Sequence, residues 1–189
     1  MRTPAVETPG TVTQPDRRGS VLGSALLTFA RFGYRKTSMD EVARAAHISR
    51  PGLYFLFTSK EALFRAAVGQ ALERDLATVE EVLADRAAPL AGRVLAAFDA
   101  WAGSYVGPLT SEISTVIDDN PDLLGGVAET APGRFAELLT QSVATETGPE
   151  QATRLAQTLI STSIGVKHQA GSRTDYRERM AVAVDLLLG

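Results

Sequence analysis

At 189 residues, with 44% apolar and 22% charged side chains, the chain has the length of one ordinary domain or of two small ones sharing a core, and the balance of a soluble globular protein. It has no cysteine and two histidines, His47 and His168, which excludes disulfides and thiolate chemistry and leaves no ligand set for structural zinc, so neither metal nor cofactor is expected. No stretch approaches the roughly 18 uninterrupted apolar residues of a membrane span, the first twenty residues lack an apolar signal core, and a cytoplasmic address is expected.

The net charge of −3 hides an asymmetry: residues 16–61 carry eight Lys/Arg against four acids, and residues 62–189 carry ten against seventeen. A basic head on an acidic body suits a polyanion binder, because the body then avoids sticking to the same polyanion.

Residues 1–15, rich in Pro and Thr and without periodicity, read as a flexible arm. From about Asp16, Val21, Leu22, Ala25, Leu26, Phe29 and Phe32 make an apolar stripe at helical spacing, closed by Gly33. Ser38 and Glu41 form a capping box that opens a short helix over 38–46. His47-Ile48-Ser49 interrupts it, and Ser49 caps a second short helix, about 50–57, with Pro51 in its first turn. Thr58 and Glu61 supply another capping box, followed by a long helix bearing Phe64, Val68, Leu72, Leu76, Val79 and Leu83. Two short helices joined by a tight turn, between longer ones, predict a helix-turn-helix in a small bundle over 16–61.

Everything after residue 62 is helical in period, with breaks expected at Pro89, Gly107-Pro108, Asn120-Pro121, Ala131-Pro132-Gly133, Gly148-Pro149 and Gly171. The last two helices, about 149–170 and 173–188, are the cleanest, and the final one places Tyr176, Met180, Ala183, Val184 and Leu187 on one face. The fold class is therefore all-α, with about nine helices. No Gly-rich phosphate loop, metal-ligand cluster or nucleophile–base arrangement is present, so no enzyme is expected. The paired acids Asp118-Asp119 read as solvated loop residues.

The run Gly33-Tyr34, Thr37-Ser38-Met39-Asp40-Glu41-Val42-Ala43 and Ile48-Ser49-Arg50-Pro51-Gly52-Leu53-Tyr54-Phe55-Leu56-Phe57-Thr58-Ser59-Lys60-Glu61-Ala62-Leu63-Phe64 resembles the TetR/AcrR family signature over about residues 17–68. The resemblance implies an N-terminal three-helix DNA-binding domain and a C-terminal helical domain, 62–189, that binds a ligand and dimerises. It implies a homodimeric transcriptional regulator, most simply a repressor, released from a palindromic operator in double-stranded DNA by a small, largely apolar effector. The alternative is a DNA-bound structural or division-control protein of the same fold without an effector.

Each matching residue also has a physical reason. Arg50, at the start of the recognition helix, can fork onto guanine O6 and N7. Gly52 permits close approach, and Tyr54 offers a hydroxyl to phosphate and a ring edge to a thymine methyl. Leu53 and Phe57 point back into the bundle. Lys60, Thr37 and Ser38 sit at helix starts, where amides and dipole favour phosphate, and Ser49 and Pro51, which open the recognition helix, complete the DNA-contact set. Two departures stand out. His47 occupies a turn position where the family has glycine, and should adopt a left-handed conformation at modest strain. Leu56 stands where the family often has a donor, so one phosphate contact is lost. Phe98, Trp101 and Tyr105, at spacings of three and four, together with Phe135, form the most pocket-like cluster. The last two helices, with Ser161, Ser163 and Gly165 allowing close approach, are expected to build a four-helix dimer interface, with Val184 and Leu187 in it.

Overall fold

The computed structural model describes residues 14–107, 124 and 126–189. Among these are eight α-helices and no strand: α1 (Gln14–Phe32), α2 (Met39–Ala45), α3 (Arg50–Leu56), α4 (Lys60–Ala84), α5 (Leu90–Trp101), α6 (Gly126–Thr147), α7 (Pro149–Gln169) and α8 (Arg173–Leu188), with a single 3-10 turn at Gly103–Tyr105. The chain is all-α, as its periodicity implies. Helix α1 begins two residues before Asp16, and of the arm assigned to 1–15 the first thirteen residues lie outside the described part, as do Asp118-Asp119 and Asn120-Pro121.

Two apolar clusters organise the molecule. The first gathers Val21, Leu22, Ala25 and Phe29 of α1, Met39, Val42 and Ala43 of α2, Leu53 and Phe57 around α3, and Leu63, Phe64, Ala67 and Val68 of α4. Phe29, Tyr34 and Phe64 meet at centroid separations of 4.9–5.6 Å, the Phe29–Phe64 pair edge-to-face. The second runs from Leu76, Val79 and Leu83 through α5 and α6 to Leu159, Tyr176, Met180 and Val184. Helix α4 belongs to both, and Leu72 packs against each. Leu124, just before α6 and only 2% exposed, joins the first cluster, so a residue of the body plugs the N-terminal core. Nothing in its local sequence marks it for that role.

The break expected at Ala131-Pro132-Gly133 is absent, and α6 runs through Pro132. A helix-interior proline forfeits a hydrogen bond and costs about 3 kcal/mol. Ala131 and Phe135, 5% and 2% exposed on either side, hold the helix to the core and offset that cost. The remaining breaks are observed where they fall on described residues. Pro89 and Gly148 are the N-caps of α5 and α7, and Gly148 takes a positive φ of 83° ahead of Pro149.

A buried cation ties the elements of the second cluster together. Arg93 of α5, 3% exposed, donates to the carbonyls of Leu83 (3.0 Å) and Ala88 (3.2 Å) and to the Ser142 hydroxyl (3.2 Å), and pairs with Glu146 of α6. It thereby occupies the orphan carbonyl of Leu83 at the C-terminal end of α4, which has no helical partner of its own, and the carbonyl of Ala88 in the loop that follows.

Candidate nucleic-acid interface

The short helices are defined by their caps. Ser38 accepts from the Glu41 amide while Glu41 accepts from the Ser38 amide at 2.7 Å and its hydroxyl at 2.8 Å, a complete capping box. Those donated bonds hold the Glu41 carboxyl below the ordinary range. Ser49 caps α3 by accepting from the Gly52 amide at 3.1 Å, with Pro51 in the first turn. Between them His47 adopts φ 52°, the left-handed conformation expected for this turn position. At the start of α4 the cap is Ser59, whose hydroxyl accepts from Ala62, and not Thr58. The expected Thr58–Glu61 box is therefore not formed: the cap lies one residue later, where the third helical residue is Ala62, and Glu61 accepts instead from the Tyr34 hydroxyl at 3.3 Å. Burial, reinforced by that carboxylate, pushes the Tyr34 hydroxyl up to about 12.

Helix α3 is anchored from beneath by Leu53 and Phe57, 0% and 3% exposed, and its opposite face is open. There Arg50, Pro51, Tyr54 and Phe55 face solvent, Phe55 at 87% exposure. Phe55 is a candidate site residue that sequence reasoning missed. The signal was its position in the 3.6-residue period: with Leu53 and Phe57 inward, residue 55 must point out. Arg18 of α1 braces the far end of α3 by donating to the Leu56 carbonyl at 3.2 Å and lying 4.4 Å over the Phe57 ring. The Arg50 guanidinium lies against Asp40 of α2, Nε to Oδ1 at 3.1 Å, and 5.7 Å from the Tyr54 ring centre.

Not every expected site residue reaches this surface. Thr37 is 2% exposed and donates its hydroxyl to the Gly33 carbonyl at 2.8 Å, so its side chain faces inward and serves the turn. Lys60 is half-buried. Its ammonium donates to the carbonyls of Tyr34 (3.0 Å) and Thr37 (3.2 Å) over the Tyr34 ring, which leaves one of three donors for anything outside. Ser38, Ser49, Arg50, Pro51 and Tyr54 are exposed and Gly52 half-exposed. Arg35, Lys36 and Arg44 add exposed positive charge on the loop before α2 and on α2 itself.

In the body, Phe98, Trp101 and Phe135 do come together. Phe98 meets Phe135 edge-on at 5.3 Å and Trp101 stacks on it at 5.1 Å. Phe98 and Phe135 are fully buried and Trp101 half-buried. Tyr105 is not part of that stack: its hydroxyl donates to Asp75 of α4, whose carboxyl burial pushes up. A separate open groove of about 540 Å³ is lined by Leu95, Asp99, Arg173, Thr174, Arg177, Glu178 and Ala181, where Asp99 receives Arg173 at 2.8 and 3.0 Å.

The outer faces of α7 and α8 differ from the expected set. Tyr176, Met180 and Val184 are 0–1% exposed and belong to the second apolar cluster of the chain itself, and Ser163 is buried against the Tyr176 hydroxyl at 2.8 Å. The apolar side chains left in solvent are Ile164 (57%), Val182 (61%) and Leu186 (81%). On α7, Gln157, Ser161, Ile164 and His168 form an exposed stripe, and on α8 so do Arg179, Val182 and Leu186. The final helix is apolar on more than one side, and the sequence pattern alone did not tell the inward face from the outward one.

Residues 21–67 match the family model described as bacterial regulatory proteins, tetR family. The HTH-type transcriptional regulator RutR of Escherichia coli K12 is 28% identical over 130 residues, spanning 58% of this chain and 61% of that protein. The HTH-type transcriptional repressor ComR of the same organism is 30% identical over 130 residues, spanning 63% and 58%. The chain thus aligns to about three-fifths of the length of these curated relatives. A TetR transcriptional regulator from Legionella pneumophila has a similar fold, with TM-score 0.74, 19% identity, and coverage of 96% of this chain and 100% of that one.

Proposed function

We propose, from the premise that the chain belongs to the tetR family of bacterial regulatory proteins, that it is a DNA-binding transcriptional regulator acting as a homodimer on a palindromic site. The observation that carries the reading is the open face of α3: Arg50, Pro51, Tyr54 and Phe55 in solvent on a helix pinned by Leu53 and Phe57. A helix held from one side in a basic domain is what a major groove admits. Arg50 reads guanine, and Tyr54 and Phe55 contact sugar, phosphate or thymine methyl. Ser38, Ser49, Arg35, Lys36, Arg44 and the spare Lys60 donor meet phosphates. Gly52 and Pro51 let the backbone approach. The relatives are regulators, and no enzymatic reading competes.

The partner copy packs across Ile164, Val182 and Leu186, forming a four-helix interface that sets the two α3 helices roughly 34 Å apart. Repression is the simplest mode, relieved by a small, largely apolar effector seated against the accessible part of Trp101. The close stacking of Phe98, Trp101 and Phe135 favours a second reading, a DNA-bound scaffold without effector. The two part on whether any small molecule both quenches Trp101 emission and releases the DNA.

The test of DNA binding is enrichment from a pool of random-sequence duplexes. A palindrome with half-site centres about one helical turn apart is expected. Retention that is uniform across sequences, or absent, overturns the reading.

A further inference from the structure

We propose that Asp40 is a specificity-determining residue of the interface: it holds the Arg50 guanidinium toward a base edge and keeps it off the phosphate backbone. This rests on the DNA-binding reading above. The pair joins the second residue of α2 to the first residue of α3, so it bridges the two helices of the motif at the open face. Asp40 Oδ1 lies 3.1 Å from Arg50 Nε, and Oδ2 accepts from Nη1 at 3.3 Å. The side chains are 50% and 63% exposed. An ion pair so open to water adds little to stability, and its consequence is therefore to be sought in orientation and charge.

Orientation comes first. Arginine has several free rotors, and here the carboxylate accepts from Nη1 and lies beside Nε while the Tyr54 ring stands 5.7 Å from the guanidinium centre. With Nη1 giving one hydrogen to Asp40, both Nη2 hydrogens, the second Nη1 hydrogen and Nε–H remain for an acceptor beyond the protein. That is the fork that guanine O6 and N7 accept.

Charge adds discrimination. A carboxylate in contact with Arg50 opposes a phosphate placed at the same spot, whereas the neutral guanine edge meets no such opposition. Non-specific affinity arises almost wholly from phosphates. Asp40 therefore gives up part of the attraction to every duplex and keeps the attraction to one base pair, which is how a difference of affinities is widened. Asp40 also stands in the first turn of α2, where an acid favours the helix dipole. That local role predicts a change in melting temperature alone and none in base preference.

The experiment selects from random-sequence duplexes with the full chain as wild type, D40N, R50A and the double variant, and repeats binding to the enriched duplex in a salt series. Melting curves accompany each protein. In the expected result D40N and R50A flatten preference at the same symmetric position, by part or all of the roughly 5- to 150-fold that one bidentate contact supplies. D40N steepens the salt dependence by about one unit of slope for each Arg50 turned to a phosphate. Added to R50A, D40N changes neither quantity, since nothing remains to be positioned. The inference is overturned if D40N keeps the wild-type profile and slope, or flattens preference equally with Arg50 absent. If the wild-type chain enriches no sequence, the DNA-binding reading itself falls and takes the role of Asp40 with it.

Discussion

Val184 and Leu186 stand two residues apart on α8, yet their truncation should have opposite effects. Val184 is 1% exposed and Leu186 is 81% exposed. Val184→Ala removes two methyl groups from the protomer core and should cost about 2 kcal/mol of folding stability, transfer and cavity terms together. Leu186→Ala removes about three carbons from the surface proposed above to receive a second copy. At about 0.8 kcal/mol per buried carbon this is roughly 2 kcal/mol per protomer and roughly 4 kcal/mol across a two-fold interface. Dimer dissociation should rise by about 10³-fold, with the isolated protomer as stable as before. Sedimentation velocity over a range of concentrations reads the first quantity. Urea unfolding at low concentration, where the protomer is measured alone, reads the second. A Leu186→Ala chain that dimerises as tightly as the wild type, or a Val184→Ala chain that becomes monomeric without losing stability, would refute this division of α8 into inner and outer faces.

Replacing Arg93 by Ala should destabilise by about 2–4 kcal/mol in urea unfolding, because the Leu83 carbonyl loses its buried donor while Glu146, about half-exposed, rehydrates; a loss under 1 kcal/mol contradicts that role. Ser38→Ala should cost about 1 kcal/mol. The Glu41 carboxyl titrates below its unfolded value, so the capping box stabilises fully above that value and fades as pH falls through the folded one. Glu41→Gln should therefore flatten the fall of the melting temperature below about pH 5, and an unchanged acid limb counts against the box. His47→Gly should be neutral or slightly stabilising and His47→Val destabilising by about 1–2 kcal/mol, since the turn sits at φ 52°; equal stabilities would deny strain there. Leu124→Ala should cost about 2–4 kcal/mol by opening the N-terminal core, and unchanged melting would remove Leu124 from it.

The helix-turn-helix was legible because its boundaries are local chemistry. Serine caps, a proline in the first turn and Gly33 with φ 81° need no tertiary information. What the sequence could not reveal depended on distance. Thr37 looks like a phosphate donor until the Gly33 carbonyl is found 2.8 Å away, and Lys60 looks free until the loop carbonyls close on it. Pro132 reads as a break because propensity is local, whereas the core around Phe135 is not. Tyr105 has the spacing of the Phe98 and Trp101 stripe, but the helix ends at Trp101 and the following turn carries its hydroxyl to Asp75. The inner and outer faces of α8 differ by whichever helix covers them, which no single-helix pattern encodes.

The most direct measurement is equilibrium binding of the wild-type chain and Arg50→Ala to the enriched duplex and to its single-base variants, each at several salt concentrations. The predicted result is a loss of about 1–3 kcal/mol per half-site, confined to one symmetric base pair, at which the variant no longer discriminates. The result that contradicts the central claim is an unchanged base preference in Arg50→Ala, or a loss of affinity spread evenly over all duplexes with a shallower salt slope, the signature of a phosphate contact.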